Sequence, residues 1–279
     1  MICIHSPELL SQASLSQQET YYTMNLYGLI GYPLSHSFSK RYFAEKFEKE
    51  RIADSRYDLF ELKDISELPE LLKQTPGLRG LNVTIPYKQA VIPYLGGMDT
   101  AARRIGAVNT IKVFADGSTK GYNSDYYGFR QSVHEWIEHR GESCANLKAL
   151  VLGNGGAAKA VVTALHDLKA EVQMVSRTPS EGILGYEELT QESMHTYRLI
   201  VNTTPLGMYP NVEACPPIPY EHLTRDHFLY DLVYNPLQTL FLRKGAEQKA
   251  HTHNGLKMLE MQAEKSWEIW TTVGDLWDN

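Results

Sequence analysis

The stretch Leu81–Lys88, LNVTIPYK, decides how the first half of the chain is organised. Its first five residues alternate between apolar and polar, which predicts the end of a β-strand. Pro86 cannot continue a central strand but suits the first turn of a helix, so we expect the chain to turn there and a short helix to follow. Thr84 and Lys88 are then presented together at the carboxyl end of a strand, where open α/β sheets bind ligands.

Lys88 is the residue of this stretch with catalytic chemistry. Its ammonium group can donate a proton to a substrate oxygen, and the deprotonated amine can take one back. A solvated surface lysine after a turn satisfies the same pattern, because lysine is mostly exposed in proteins. These eight residues leave both interpretations open, and the rest of the chain has to decide.

Length and composition exclude several classes of protein. The chain has 279 residues, enough for about two domains, and its 43% hydrophobic and 22% charged residues are typical of a globular protein. The net charge of −6 indicates no nucleic-acid or membrane partner, and we find no apolar run of about 18 residues that would span a bilayer. Three scattered cysteines without a C-x-x-C pair argue against a disulfide framework and favour a reducing, cytoplasmic compartment.

Residues 1–23 differ from the rest. They contain no lysine or arginine, so they lack the charged start of a signal or transit peptide. We expect a peripheral N-terminal extension, with the fold beginning near Met24.

A loop rich in Gly, Pro and Ser follows the apolar strand Leu26–Ile30. Ser35 and Ser37 are two residues apart, so both hydroxyls face the same way in an extended segment and can hydrogen-bond a carboxylate. Ser37 also precedes a helical stretch at residues 38–51 and would serve as its N-cap. Both roles stay open, one for each serine.

Asp125 follows a predicted β-hairpin whose turn is Asp116–Gly117. It precedes a helix with an apolar face, so its commonest role would be an N-cap. A carboxylate at a helix start is also well placed to accept a hydrogen bond from a ligand hydroxyl. The alternation of strands and helices up to this point predicts one α/β unit of about 100 residues, with a mixed sheet because of the hairpin.

A dinucleotide-binding pattern opens the second unit. The apolar strand at residues 147–152 runs into Gly153–Ala158, GNGGAA, and then into a helix with an apolar stripe that begins at Ala157. The first glycine permits the tight turn, the second lets the backbone approach a pyrophosphate, and Ala158 packs the helix on the sheet. Free N–H groups at the helix start then face the phosphates.

The next strand ends in Ser176–Arg177–Thr178, which indicates the choice of cofactor. Enzymes that prefer NAD usually carry an acidic residue there for the ribose 2′-hydroxyl, whereas a guanidinium and two hydroxyls suit the 2′-phosphate of NADP. One charge-assisted hydrogen bond corresponds to a preference of about tenfold or more. Thr203–Met208, after a further strand, is a polar turn whose glycine suits close approach of the cofactor.

The C-terminal part offers one polar candidate on an apolar helix. Gln262 lies at the edge of the apolar face of residues 256–270, and if buried it needs hydrogen-bond partners that a ligand could supply. A half-exposed glutamine satisfies the pattern equally well. His251 and His253 have no third ligand, so we predict solvated loop histidines and no metal site.

Eight motifs, in this order, together resemble the shikimate dehydrogenase family. They are Tyr27–Ser37, Leu81–Lys88, Gly106–Thr110, Gly121–Asp125, Gly153–Gly156, Asn202–Met208, Asp231–Pro236 and Asn254–Ala263. The family often has Asn in place of Ser176 and Thr in place of Ser124, and the N-terminal extension lies outside its pattern.

The resemblance implies an α/β protein with an N-terminal mixed-sheet substrate domain, a Rossmann-like NADP-binding domain and a cleft between them. The substrate domain would span residues 24–125 and be completed by the C-terminal helices at 255–279. The NADP-binding domain would span residues 126–254.

The resemblance also implies the site residues. Lys88 and Asp125 would be the catalytic pair. The substrate-binding residues would be Ser35, Ser37, Thr84, Asn109, Tyr234 and Gln262. The cofactor-binding residues would be Gly153, Asn154, Gly155, Gly156, Ala157, Ser176, Arg177, Thr178, Thr203, Met208 and Gly255.

The implied activity is NADPH-dependent, reversible reduction of 3-dehydroshikimate to shikimate in chorismate and aromatic amino-acid biosynthesis, by a monomer or homodimer. One alternative is a quinate/shikimate dehydrogenase that uses NAD, against which Arg177 argues. Another is a non-catalytic NADP-binding sensor, against which the presence of both Lys88 and Asp125 argues. A third, a methylene-tetrahydrofolate dehydrogenase, is disfavoured by the Ser35/Ser37 pair, which suits a small carboxylate.

Overall fold

A computed structural model describes residues 24–34 and 37–274 of the chain. These residues form two compact units, each built on its own six-stranded sheet. The first unit comprises the described residues up to Asp99 together with Val108–Tyr122, and the second comprises Thr100–Ala107 and the described residues from Asn123 onward. The predicted α/β class with two sheets is confirmed.

The helices and strands alternate along most of the chain. In chain order they are β1 Asn25–Gly31, α1 Phe38–Lys49, β2 Ser55–Glu61, α2 Leu68–Gln74, β3 Leu78–Val83, α3 Tyr87–Ala90, β4 Gly97–Met98, α4 Thr100–Ile105, β5 Thr110–Val113, β6 Thr119–Tyr122, α5 Ser124–Glu138, β7 Lys148–Leu152, α6 Gly156–Asp167, β8 Glu171–Val175, β9 Ile183–Leu184, α7 Gln191–Thr196, β10 Leu199–Asn202, β11 Phe228–Asp231, α8 Leu240–Glu247, β12 His251–His253 and α9 Leu256–Thr271. Short 3₁₀-helices cover Ile65–Glu67, Ile92–Tyr94, Cys144–Asn146, Tyr186–Glu188 and Tyr220–His222.

The sheet of the first unit is mixed, as predicted, with strand order β2-β1-β3-β5-β6-β4. β1 pairs in parallel with β2 and β3, whereas β5 is antiparallel to β3 and β6. The turn between β5 and β6 contains Gly117, whose φ of +82° is a backbone conformation that favours glycine. On one side of this sheet the ring of Phe43, from α1, stacks on that of Tyr57, from β2, with centroids 4.6 Å apart.

The sheet of the second unit is parallel throughout its described strand pairs, in the order β12-β11-β10-β7-β8-β9. Its central strands β7 and β10 are almost entirely buried and read as continuous apolar runs, as expected for a parallel sheet covered on both faces. Small residues of α6, including Ala158, Ala160 and Ala164, are buried in the same core. Ala157, which we placed on the apolar stripe, is exposed, because the buried face of the helix begins one residue later.

Helix α4 belongs to the second unit although its neighbours in sequence belong to the first. The guanidinium of Arg104 donates to both carboxylate oxygens of Asp167 at the end of α6, over 2.9 and 3.0 Å. The hydroxyl of Tyr126 on α5 donates to the same carboxylate at 2.7 Å. One carboxylate therefore holds α4, α5 and α6 together.

The last helix, α9, packs closely on α5. A Cβ atom added at Gly128 would lie 2.6 Å from the carbonyl oxygen of Met258 and 2.9 Å from the backbone nitrogen of Gln262, so the two backbones meet at this glycine. By its contacts α9 falls in the second unit, whereas we expected it to complete the first. Its participation in substrate binding is a separate question and stays a prediction.

The prediction of solvated loop histidines near the C-terminus is wrong. His251 and His253 form strand β12, which pairs in parallel with β11 at the edge of the sheet. The imidazole of His253 stacks on Trp136, with ring centroids 5.1 Å apart, and burial lowers the pKa of His253 to about 4. A strand of three residues is too short to show a period in the sequence.

Across residues 24–34 and 37–274, none of the helices combines the length and the apolar character that crossing a membrane requires.

Candidate active site

The carboxyl end of β3 carries the turn that the sequence predicts. The backbone N–H of Thr84 donates to the carbonyl of Ile30 at 2.9 Å, and that of Tyr87 donates to the carbonyl of Thr84 at 2.9 Å. The Tyr87 hydroxyl donates to the carbonyl of Leu62 at 2.6 Å, which fixes the start of α3. Thr84 and Lys88 are both half-buried there, and the strand–turn–helix prediction is confirmed.

Asn109 lies beside this turn through backbone hydrogen bonds. Its carbonyl accepts from the N–H of Val83 at 2.8 Å, while the N–H of Val108 donates to the carbonyl of Lys88 at 2.7 Å. The segment that carries Asn109 is thereby held against both β3 and α3. Three predicted site residues, Thr84, Lys88 and Asn109, thus lie at one edge of the first sheet.

A chain of buried neutral groups leads to the Asn109 side chain. Tyr57 donates from its hydroxyl to Oδ1 of Asn82 at 2.8 Å, and Nδ2 of Asn82 donates to Oγ1 of Thr110 at 3.4 Å. The Thr110 hydroxyl then donates to Oδ1 of Asn109 at 3.2 Å. Burial raises the pKa of the Tyr57 hydroxyl well above its ordinary range, so it remains a donor at physiological pH. The chain fixes the orientation of the Asn109 amide, with its oxygen towards Thr110.

The predicted carboxylate-binding serines are described only in part. Ser35 lies outside the described residues. Ser37 is the N-cap of α1, and its Oγ accepts from the backbone N–H of Lys40 at 3.2 Å. The capping role predicted for Ser37 is confirmed, and its role towards a carboxylate stays a prediction.

Asp125 is not the cap of its helix, which excludes the N-cap, the commoner of the two roles left open for it. The N-cap of α5 is Asn123, whose Oδ1 accepts from the N–H of Tyr126 at 3.1 Å and whose Nδ2 donates to the carbonyl of Ala107 at 3.0 Å. Asp125 therefore lies half-buried in the first turn, where the positive end of the helix dipole favours a carboxylate.

Gln262 is buried, which excludes the half-exposed alternative. Its Oε1 accepts from the hydroxyl of Ser124 at 3.2 Å, and the Ser124 hydroxyl also lies 3.1 Å from that of Ser266. Gln262 is thereby held at the start of α5, because its partner Ser124 is the residue before Asp125. Tyr234 lies half-buried in the segment after β11, in the same unit.

The glycine-rich turn that follows β7 has the predicted geometry. Gly153 follows β7 with a φ of +109°, and its N–H donates to the carbonyl of Val175 at 2.7 Å. A Cβ atom there would lie 2.7 Å from Oγ1 of Thr203, so both the conformation and the available space require glycine. Gly155 is the N-cap of α6, and Gly156 is its first residue.

A cavity of about 360 Å³ opens above this turn. It is lined by Gly153, Asn154, Gly155, Ser176, Arg177, Thr178, Tyr186, Thr203, Thr204, Pro205, Leu206 and Pro217. Seven predicted cofactor residues are thereby brought together. Gly156 and Ala157 are exposed at the start of α6 and lie outside this lining.

Tyr186 and Pro217 are lining residues that the sequence analysis missed. Burial raises the pKa of the Tyr186 hydroxyl, which the positive charge of Arg177 partly offsets. Both residues lie far from the glycine-rich motif in sequence, Tyr186 at the start of a short 3₁₀-helix, and we find no local pattern that would have identified them.

Two other predicted cofactor residues lie outside the cavity lining. Met208, the last residue of the polar turn Thr203–Met208, is 48% exposed. Gly255 is buried before α9, where a Cβ atom would overlap the carbonyl oxygen of Leu232. Packing alone explains this glycine, and a contact of either residue with a cofactor stays a prediction.

The cavity suits a dinucleotide that carries a 2′-phosphate. Backbone N–H groups at the start of α6 can bind the pyrophosphate. Arg177, with the hydroxyl groups of Ser176 and Thr178, offers donors for a further phosphate. Among the described lining residues none is acidic, so the cavity lacks the carboxylate that usually holds the 2′-hydroxyl of NAD.

Comparison with known proteins identifies the family. Residues 29–111 match the sequence profile of the shikimate dehydrogenase substrate binding domain. The chain is 39% identical over 257 residues to the shikimate dehydrogenase (NADP(+)) of Clostridium beijerinckii, covering 88% of this chain and 92% of that relative.

Solved structures give the same result. One is the shikimate 5-dehydrogenase of Thermus thermophilus in complex with NADP(H) and shikimate, with a TM-score of 0.77 and 30% identity over 90% of this chain and 94% of that one. Another is the quinate dehydrogenase of Corynebacterium glutamicum in complex with NAD, with a TM-score of 0.78 and 26% identity over 90% of this chain and 94% of that one. The chain belongs to the shikimate dehydrogenase family.

Proposed function

We propose that this protein is an NADP-dependent shikimate dehydrogenase that reversibly reduces 3-dehydroshikimate to shikimate in the pathway to chorismate and the aromatic amino acids. The observation that carries the proposal is the edge of the first sheet, where Thr84, Lys88 and Asn109 are held side by side in a chain that also contains a dinucleotide cavity. We place the enzyme in the cytoplasm, as a monomer or homodimer.

The substrate is a small hydroxylated acid, and the site residues divide between its two kinds of group. Ser35, Ser37 and Tyr234 bind the carboxylate through hydroxyl donors. Four residues bind the ring hydroxyls: Thr84, Asn109, Asp125 and Gln262. The fixed orientations of Asn109 and Gln262 support this assignment, because pre-oriented amides lose less conformational entropy when a ligand binds.

The catalytic pair moves one proton. In the direction of reduction, Lys88 as an ammonium group donates its proton to the carbonyl oxygen of 3-dehydroshikimate, which becomes the C3 hydroxyl. Asp125 orients the Lys88 ammonium and the neighbouring substrate hydroxyl. The bound NADPH supplies the hydride, and the protein supplies position and charge. In the reverse direction, the neutral amine of Lys88 takes the hydroxyl proton.

The choice of NADP over NAD depends on Arg177. A guanidinium beside two hydroxyl-bearing residues at the cavity wall matches a 2′-phosphate, and we expect a preference of about tenfold or more. The similarity to a quinate dehydrogenase bound to NAD keeps a quinate/shikimate dehydrogenase that uses NAD as the second candidate.

The test is a spectrophotometric assay with shikimate and NADP as the only reactants. The proposal expects the near-ultraviolet absorbance of NADPH to rise, with turnover lower by about tenfold or more when NAD replaces NADP. Equal or better turnover with NAD and quinate would establish the second candidate. Binding of NADP without any turnover would indicate a sensor and refute the proposal.

A further inference from the structure

Asp231 is a fully buried carboxylate to which the proposed reaction gives no role. Its Oδ1 accepts from Nδ2 of Asn202 at 2.9 Å and from the N–H of Val233 at 3.0 Å. Its Oδ2 accepts from the hydroxyl of Thr239 at 2.5 Å. Three donors from three segments therefore converge on one acidic group at the carboxyl end of β11.

The carboxylate dictates how the neighbouring Asn202 amide is oriented. Asp231 and Asn202 are partners in the register of β10 and β11. An ionised carboxylate only accepts hydrogen bonds, so the Asn202 nitrogen must face it and the Asn202 oxygen must face away. That oxygen then accepts from both the N–H of Thr204, at 3.0 Å, and the Thr204 hydroxyl, at 2.7 Å.

The orientation of Asn202 in turn fixes Thr203–Leu206, the first four residues of the polar turn. The oxygen of the Thr204 hydroxyl accepts from the N–H of Leu206 at 3.3 Å, and Nδ2 of Asn202 donates to the Leu206 carbonyl at 3.4 Å. At the start of the turn, the Thr203 hydroxyl donates to the carbonyl of Leu152 at 2.7 Å. The turn that these bonds hold forms one wall of the cavity, against Gly153.

We propose that Asp231 and Asn202 are positioning residues for the dinucleotide, because together they hold the turn Thr203–Leu206 in the shape that the cofactor binds. This inference rests on the proposed NADP site in that cavity. Neither side chain lines the cavity, so both act on the cofactor through the backbone and hydroxyl groups of the turn.

Geometry rather than charge is the property that the turn requires, and this separates two substitutions. In Asp231→Asn the amide oxygen can take the place of Oδ1, which receives two donors, and the amide nitrogen can donate to the oxygen of Thr239. All three contacts of the native carboxylate are then replaced. Asp231→Ala removes them all and leaves Asn202 without the group that orients it.

The experiment measures the dissociation constant of NADP in the binary complex by fluorescence titration, with the KM for shikimate and the melting temperature recorded for each variant. We expect Asn202→Ala and Asp231→Ala to weaken NADP binding about tenfold. The first removes the three hydrogen bonds between the Asn202 amide and the turn, and the second removes the carboxylate that orients that amide. Asp231→Asn should restore NADP affinity to within about twofold, and the KM for shikimate should stay within about twofold throughout, since the substrate is assigned to other residues.

Tyr230→Phe is the matched control. Tyr230 is the residue before Asp231 in β11, and the substitution removes its buried hydroxyl, which lies 2.8 Å from the hydroxyl of Ser132. It should lower the melting temperature without changing the affinity for NADP. If Asp231→Ala does not fold, Thr204→Val tests the same turn, because it removes only the hydroxyl that bridges Asn202 and Leu206.

The outcomes distinguish failure of the positioning role of Asp231 and Asn202 from failure of the proposed function. Loss of melting temperature with unchanged NADP affinity in Asn202→Ala and Thr204→Val would overturn the inference and leave the proposed function intact. An equal loss of NADP affinity in Tyr230→Phe would overturn it too, because general destabilisation would then explain the effect. Absence of NADP binding in the wild-type protein would instead refute the proposed function.

Discussion

The two units order the carboxyl edges of their sheets with different chemistry. In the first unit, neutral groups run from Tyr57 through Asn82 and Thr110 to the amide of Asn109. In the second unit, the fully buried carboxylate of Asp231 gathers three donors around itself. Both networks end on an asparagine amide whose orientation they fix.

The difference concerns pH and the cost of burial. Neutral hydroxyl and amide groups are buried at modest cost when they are hydrogen-bonded, and they do not titrate near neutrality. A buried carboxylate accepts several donors strongly but loses its hydration, and burial raises the pKa of Asp231 to about 6 despite its three hydrogen bonds. The network around Asn109, the first edge, should therefore keep its geometry across a wide pH range. The network around Asp231, the second edge, contains a group that titrates.

Lys88→Ala should have the largest effect and tests whether the first edge is the catalytic one. Loss of a general acid–base group typically costs about 10²–10⁴-fold, so kcat should fall by that factor with a smaller change in KM. Steady-state kinetics in both directions measures it. Lys73→Ala, which changes an exposed lysine at the end of α2, is the control and should leave kcat unchanged. A Lys88 variant that keeps most of its turnover would remove this residue from the mechanism.

Asp231→Asn tests whether charge distinguishes the second edge. The pKa of the folded-state carboxyl lies above its ordinary value, so the unfolded chain releases this proton at lower pH than the native protein does. The wild-type free energy of unfolding should consequently fall relative to that of the variant as pH rises from about 4 to about 6. The difference should reach at most about 3 kcal/mol.

Urea denaturation of both proteins at several pH values measures this difference. Groups common to both, including His253, cancel in the comparison. A difference that does not change with pH would show that Asp231 has the same pKa in the folded and unfolded chains.

Arg177→Ala should abolish the discrimination between cofactors at the second edge. We expect the dissociation constant of NADP to rise about tenfold or more while that of NAD changes little, because only NADP carries the 2′-phosphate. Titration with each cofactor checks this, and Arg225→Ala, at an exposed arginine of the same unit, serves as the control. Equal weakening of both cofactors would assign Arg177 to the shared part of the dinucleotide.

Thr110→Val should give the smallest effect, on the neutral network. It removes the hydroxyl that orients the Asn109 amide, and one hydrogen bond corresponds to about fivefold in the KM for shikimate. Thr110→Ser should restore the wild-type value, and the affinity for NADP should be unchanged in both variants. If Thr110→Ser is as impaired as Thr110→Val, packing of the methyl group rather than the hydrogen bond is responsible.

Patterns within a short window predicted the architecture well. The buried strand at residues 199–202 and the turn around Pro86 have the expected form, because burial on both faces and proline geometry are local signals. The N-cap role left open for Asp125 belongs instead to Asn123, since both residue types favour a helix start and the sequence does not say which N–H each one meets.

The features that the sequence did not predict depend on contacts between residues far apart in the chain. A glycine inside a helix, such as Gly128, is destabilising by local propensity. Its reason is the close approach of the Met258 backbone, which only the structure shows. The partner of Gln262 is Ser124, more than a hundred residues away. Tyr186 and Asp231 likewise acquire their surroundings only when loops and strand ends from separate parts of the chain come together.

The placement of α4 has a consequence for dissecting the protein. Because Thr100–Ala107 belongs to the second unit and both flanking segments belong to the first, the polypeptide passes from one unit to the other at three points. No single peptide-bond cleavage within residues 24–34 and 37–274 can release either unit whole. A fragment ending at residue 122 would carry an orphaned helix whose Arg104 has lost its carboxylate. Stand-alone versions of either unit would call for a rejoined or permuted gene rather than a simple truncation.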